Sequence, residues 1–132
     1  MKALVDTHVL LWLVDKDSQS RIPAPAMRIL LDPSNELVIS AITPWEISLK
    51  HWLGKLPEVG PLLATWPRTV ERLRATVLAL TDTHGIEAGR LDWTHKDPFD
   101  RMIAAQAILA DAALVSADSA FDEVPGLRRI WG

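Results

Sequence analysis

Residues 97–118 read DPFDRMIAAQAILADAALVSAD: a helix opened by an acid, then a short apolar strand, then another acid. Asp97 followed by Pro98 marks a helix start, because proline costs nothing at the first helical position and the aspartate can cap the free N–H groups. The helix is expected to run to about Ala110. ALVS, ending at Ser116, reads as a strand buried on both faces. A helix that delivers such a strand is the repeating unit of a parallel sheet covered on both sides.

Outward from this unit the alternation continues. Lys2–Val5 is the first expected strand, with a short helix beginning near Thr7. IPAPAMRILL is the second helix, its prolines confined to the first turn. ELVIS, ending at Ser40, is a strand, and a helix follows from Thr43 to Gly54, a glycine suited to the C′ position. Further helical material breaks before Pro67, and a strand is expected near residues 77–80. Thr83–Leu91 reads as helix, and LRRIW as a last short strand. No linker or repeat divides residues 1–132, which are expected to form one three-layer α/β domain, a central parallel sheet flanked by helices.

Composition narrows the function. The chain has 14 basic and 17 acidic residues, whereas a protein that neutralises phosphates with its own side chains is usually basic. Any chemistry on nucleic acid would then draw positive charge from metal ions. The absence of cysteine excludes thiolate zinc sites and cysteine nucleophiles. No apolar run reaches the ~18 residues of a membrane span, and Asp6 interrupts the amino end before a signal-peptide core could form. These features fit a cytoplasmic protein without a membrane partner. The four histidines lack metalloprotease spacing, and no glycine-rich loop opens a helix, so zinc hydrolysis, dinucleotide binding and P-loop chemistry are not expected.

In an open parallel sheet, ligands bind beyond the carboxyl ends of the strands. Asp6 directly follows the first strand and Asp118 follows Ser116. Glu46 and Asp100 fall in the first turns of two helices. One sheet edge can therefore gather Asp6, Glu46, Asp100 and Asp118. Each also has a plain helix-capping reading. TPWE is a capping box with Thr43 as N-cap, Pro44 at the first helical position and Glu46 reaching back. DPFD repeats the design with Asp97 and Asp100. The case for chemistry rests on four such acids together. Crowded carboxylates repel and raise one another's pKa, and an all-oxygen donor set suits Mg²⁺ or Mn²⁺. One or two such ions would activate water against a phosphodiester.

LVDTHVLLW around Asp6, ISAITPWEISLKHWLGKL around Glu46, HKDPFDRMIAAQA around Asp100 and LVSADSAFDEVPGLRRIW around Asp118 occur in an order that resembles the PIN-domain ribonucleases of the VapC type. These are toxins of bacterial toxin–antitoxin pairs. The resemblance reaches from end to end of the chain. It implies a PIN-like fold and Mg²⁺- or Mn²⁺-dependent endoribonuclease activity on RNA. It also implies a homodimer and neutralisation by a cognate antitoxin. By position, Asp6, Glu46, Asp100 and Asp118 match the family's catalytic, metal-holding quartet. Thr7 and Ser116 match supporting hydroxyl positions, and Asp97 matches an additional acid whose role is ligand or cap. Ala117 and Ala120 depart from the polar residues often found beside the fourth acid.

Other residues admit two readings. His8 and His95 flank the site segments and are either structural or substrate-facing. Trp12, Trp45 and Trp52 fall in helices as core or interface anchors. Arg68, Arg72 and Arg74 form a solvated cluster, whereas Lys50, Lys55 and Arg101 neighbour the quartet and are better placed to meet phosphate. The abundance of tryptophan and other apolar residues points independently to a partner-covered surface. Three alternatives compete with the nuclease reading. A haloacid-dehalogenase-like phosphotransferase needs an acid two residues after the nucleophile, where His8 stands. A receiver-like module needs paired acids after the first strand and a late lysine, where Ala117 and Asp118 stand. A catalytically silent PIN-like binding module needs no intact quartet.

Overall fold

The structure, a computed structural model, describes residues 1–132. Five strands, β1 (Lys2–Val5), β2 (Glu36–Ser40), β3 (Thr76–Leu78), β4 (Ala113–Val115) and β5 (Arg129–Ile130), pair in parallel in the order β3-β2-β1-β4-β5. Seven α-helices connect them: α1 (Thr7–Val14), α2 (Ala24–Leu31), α3 (Ile42–Trp52), α4 (Gly60–Ala64), α5 (Trp66–Arg72), α6 (Asp82–Arg90) and α7 (Pro98–Leu109). The expected α/β architecture with a central parallel sheet is the observed one.

Side chains alternate across each strand, and the two faces carry separate cores. Ala3 and Val5 of β1, Leu37 and Ile39 of β2 and Val115 of β4 pack with residues of α1, α2 and α3, including Val9, Leu13, Ala26 and Ile47. Leu4, Val38 and Leu114 point the other way, onto Ile103, Ala104 and Ala107 of α7 and onto Phe121. Ala3, Leu4 and Val5 are all 0% exposed, as a central strand covered on both faces requires.

The chain runs from β1 outward through β2 to β3, then crosses back to place β4 and β5 on the other side of β1. The order reverses between β1 and β4, and the crevice at their carboxyl ends is where such sheets bind ligands.

Several boundaries differ from expectation. The third strand is Thr76–Leu78, starting and ending earlier than residues 77–80. The helix expected from Thr43 begins at Ile42, with Ala41 as N-cap and no side-chain capping bond. Thr43 therefore lies inside the first turn, where its Oγ1 is buried without a partner. The sequence signature of a capping box is present, but the β2–α3 connection is too short to leave Thr43 outside the helix. Gly54, at φ +78°, does follow α3 as the left-handed terminator. Trp45 and Trp52 are 58% and 81% exposed, so they are not core residues. Trp12 is half-buried against the first core.

Candidate active site

The pairing of β1 with β4 sets Val5 level with Val115. The next residues, Asp6 and Ser116, consequently lie side by side at the strand ends. Ser116 Oγ donates to Asp6 Oδ2 at 2.7 Å, and the Thr7 N–H donates to Asp6 Oδ1 at 2.8 Å. Asp6 is only 6% exposed. Burial is the largest influence on its carboxyl and pushes its pKa above the usual range, against the two hydrogen bonds and with a smaller push from Glu46.

Glu46 enters from α3 and is also buried. It does not cap its helix, as the TPWE reading expects. Its Oε1 accepts from Thr7 Oγ1 at 2.7 Å, and its Oε2 meets Lys50 Nζ at 2.5 Å, one turn along α3. Lys50 is thus committed to a carboxylate rather than free for phosphate.

Asp97 and Asp100 come from the start of α7. Asp97 is the N-cap, accepting from the N–H groups of Phe99 and Asp100 at 2.9 and 3.3 Å. Asp100 stands at the third helical position but does not reach back to the cap. Its Oδ2 meets His95 Nε2 at 2.7 Å. Burial raises its pKa to about 6, with the charges of Asp97 and Asp6 adding to the rise and the His95 bond opposing it.

Asp118 follows β4. Its N–H donates to Ser116 Oγ, and its Oδ1 caps the short 3₁₀ turn at Ser119–Glu123 by accepting from Ala120 N–H. Its side chain is exposed at the rim.

All four acids and Asp97 line one cleft of about 220 Å³, together with His8, Trp12, Lys50 and Ala117. Ser116 and Thr7 stand behind it as donors to Asp6 and Glu46. Asp6, Asp118, Asp97, Asp100 and Glu46 supply five carboxylates against one lysine. The cleft therefore carries an excess of negative charge. Hard oxygen donors in that number fit Mg²⁺ or Mn²⁺. The tightest grouping is not the quartet, however. It is His95, Asp97 and Asp100, whose potential ligand atoms all lie within 4.8 Å of one another. Each remaining acid is held by its own protein donors.

Two features of the site escape a linear reading. Arg101 is no phosphate contact. Its guanidinium donates to the carbonyls of Ala88, Gly89, Leu91, Trp93 and His95, binding the α6–α7 connection to α7. Behind the cleft, Gln106 of α7 accepts from Ser40 Oγ at the end of β2, and its amide N–H contacts Ala79 O and His84 Nδ1. Ser40 in turn accepts from the Ile42 N–H that begins α3. The one available signal was a glutamine amid IAAQA, a polar side chain in an otherwise apolar stretch.

A family model described as PIN domain matches residues 3–127. The chain belongs to the PIN domain family. This PIN domain also matches solved structures along nearly its whole length. VapBC2 from Rickettsia felis bound to a promoter DNA fragment aligns at TM-score 0.69 and 19% identity, covering 100% of both chains. DNA-bound VapBC from Salmonella typhimurium aligns at TM-score 0.69 and 22% identity, over 98% of this chain and 97% of that one. VapBC-1 from nontypeable Haemophilus influenzae gives TM-score 0.67 at 22% identity, with the same coverage of 98% and 97%. At these identities the likeness establishes the fold. Among curated proteins, none matches the chain in sequence. No helix is long and apolar enough to cross a membrane.

Proposed function

We propose that this PIN domain is a Mg²⁺- or Mn²⁺-dependent endoribonuclease, the VapC-type toxin of a toxin–antitoxin pair. The observation that carries this reading is the meeting of Asp6, Glu46, Asp100 and Asp118, from four distant segments, in one cleft at the β1–β4 reversal. The family match and the VapBC neighbours support the toxin assignment. The resemblance of the four motifs supports RNA as substrate.

In this reading the four acids hold the cation, and Asp97 both caps α7 and adds negative charge. A bound divalent cation supplies Lewis acidity, acidifying water and neutralising charge on the phosphoryl oxygens. Ser116 and Thr7 fix the carboxylates of Asp6 and Glu46 by donating to them, so neither acid must reorganise during the reaction. Lys50 sits beside Glu46 as the cleft's own cation. No side chain in the cleft is required as a separate general base.

A groove of about 560 Å³ adjoins the cleft, sharing His8 and Trp12 and lined by Leu11, Leu56, Val59 and Leu62. We assign it to a segment of the cognate antitoxin, a reading that the likeness to the VapBC structures supports. Exposed Trp45 and Trp52 on α3 support a homodimer.

Cleavage of labelled RNA by EDTA-stripped protein, with Mn²⁺ or Mg²⁺ restored, tests the activity. Wild type should cut only with metal, and Asp6→Asn should not cut while melting no lower than wild type in EDTA. A folded wild type that leaves structured and unstructured RNA intact at every metal concentration would return the chain to the silent binding-module reading. Light scattering that finds a monomer would remove the dimer.

A further inference from the structure

His95 lies outside the acidic quartet and does not line the cleft, yet three separate contacts immobilise its ring and backbone. Its imidazole stacks on Trp93, with centroids 4.6 Å apart and planes 25° from parallel. Its carbonyl accepts from Arg101 Nη1 at 2.9 Å, and the same nitrogen holds the Trp93 carbonyl at 2.7 Å. Its Nε2 meets Asp100 Oδ2 at 2.7 Å. Trp93 is itself buried and packs its ring on Phe121 of the second core. The imidazole is therefore anchored to the hydrophobic core through Trp93, and the backbone that carries it is held by the Arg101 guanidinium. Its remaining freedom is spent on one oxygen of one acid.

We propose that His95 is a positioning residue for the cation site: by donating from Nε2 it holds Oδ2 of Asp100, leaving Oδ1 as the oxygen that meets a metal ion. The inference rests on the metal-dependent reading above and deepens it. Outer partners of this kind set the orientation of a carboxylate ligand and change metal affinity without touching the metal. The direct alternative, His95 as a ligand beside Asp97 and Asp100, is less consistent with the contacts. Nε2 is already committed to Asp100 and Oδ1 of Asp97 already accepts two backbone N–H groups, so direct ligation would fall to His95 Nδ1 and Asp97 Oδ2. Arg101 follows Asp100 in sequence, so α7 carries both the acid and the clamp that orients its histidine.

The test is calorimetric titration of Mn²⁺ into the EDTA-stripped full chain as wild type, His95→Gln, His95→Asn and His95→Leu, each also melted. Glutamine can place an N–H near the imidazole Nε2 position, whereas asparagine is too short and leucine has no donor. His95→Leu and His95→Asn should bind Mn²⁺ about 10-fold or more weakly, and His95→Gln should stay within about threefold of wild type. Rescue by glutamine alone, uncorrelated with melting temperature, is the result a purely structural histidine would not produce. Wild-type affinity in His95→Asn, or equal loss in His95→Gln and His95→Asn, would overturn the inference while leaving the metal reading intact. Pulsed electron paramagnetic resonance showing an imidazole nitrogen bound directly to Mn²⁺ would make His95 a ligand and overturn it too. Failure of the wild type to take up Mn²⁺ would remove the metal reading and this inference together.

Discussion

Thr7 Oγ1 donates to Glu46 Oε1 at 2.7 Å, a buried bond between residues 39 apart in sequence. Thr7 is the first residue of α1 and its N–H is bonded to Asp6, so one residue touches the first two acids of the cleft. The hydroxyl holds one oxygen of Glu46 while Lys50 holds the other. Neither oxygen is free to rotate toward the other acids.

We predict that Thr7→Val destabilises the chain by about 1–3 kcal/mol, because a buried carboxylate oxygen loses its donor. Thr7→Ser should recover most of that loss. Chemical denaturation measures it. Equal stability of wild type and Thr7→Val would show that the hydroxyl contributes nothing to holding Glu46.

Glu46 and Asp97 should separate cap from site in opposite ways. Asp97 caps α7 through two N–H groups, so Asp97→Ala should cost about 1 kcal/mol of stability and Asp97→Asn much less. Glu46 caps nothing, but it is buried against Lys50, so Glu46→Gln should cost about 1–3 kcal/mol of stability through that pair while RNA cleavage falls on the order of 100-fold. Denaturation and cleavage measured on the same preparations decide this. Retained cleavage in Glu46→Gln would exclude Glu46 from the site.

Asp100 predicts a pH dependence of known sign. Its pKa is 3.8 in the ordinary state and about 6 in the fold, raised first by burial. Between these values the folded chain keeps a proton that the unfolded chain has released. Stability therefore falls as pH rises through this window, and the loss is complete above it. In EDTA, the melting temperature of Asp100→Asn relative to wild type should climb from about pH 4 to about pH 6 and then level off. A difference that stays constant with pH would contradict the raised value.

Arg101→Lys tests the clamp. Lysine offers one ammonium where the guanidinium reaches five carbonyls, and it lacks the planar fork. We predict a loss of about 3 kcal/mol, the order expected when two or more charge-assisted bonds are removed. Hydrogen exchange should rise first in residues 88–96. A variant with wild-type stability and unchanged exchange there would show that the carbonyls find other donors at no cost.

Local pattern was enough for much of this. The apolar runs around Leu4, Val38 and Leu114 announce buried parallel strands because each must be covered on both faces. Asp97-Pro98 and Gly54 mark helix ends because capping and left-handed backbone depend on the residue at that position. Asp6, Glu46, Asp100 and Asp118 stand out since acids at strand ends and helix starts are visible without a fold. Other local signals misled. TPWE has the composition of a capping box, but the short turn after Ser40 draws Thr43 into the helix. The helices before β3 and β4 stop at Arg74 and Asp111, both with φ near +50°, with no glycine to announce the turn.

Partnership required the tertiary structure. Only the strand order puts Asp6 beside Ser116, 110 residues away, and only the packing of α3 on α1 gives Glu46 its threonine. A lysine or arginine near an acid in sequence looks the same whether it faces phosphate, a carboxylate or its own backbone. Lys50 meets Glu46 and Arg101 meets carbonyls because burial leaves unpaired polar atoms that the nearest long side chain must satisfy. Hydrophobic periodicity is a property of neighbouring residues and can be read along the chain. The choice of polar partner is settled by distances in space, after the core has closed.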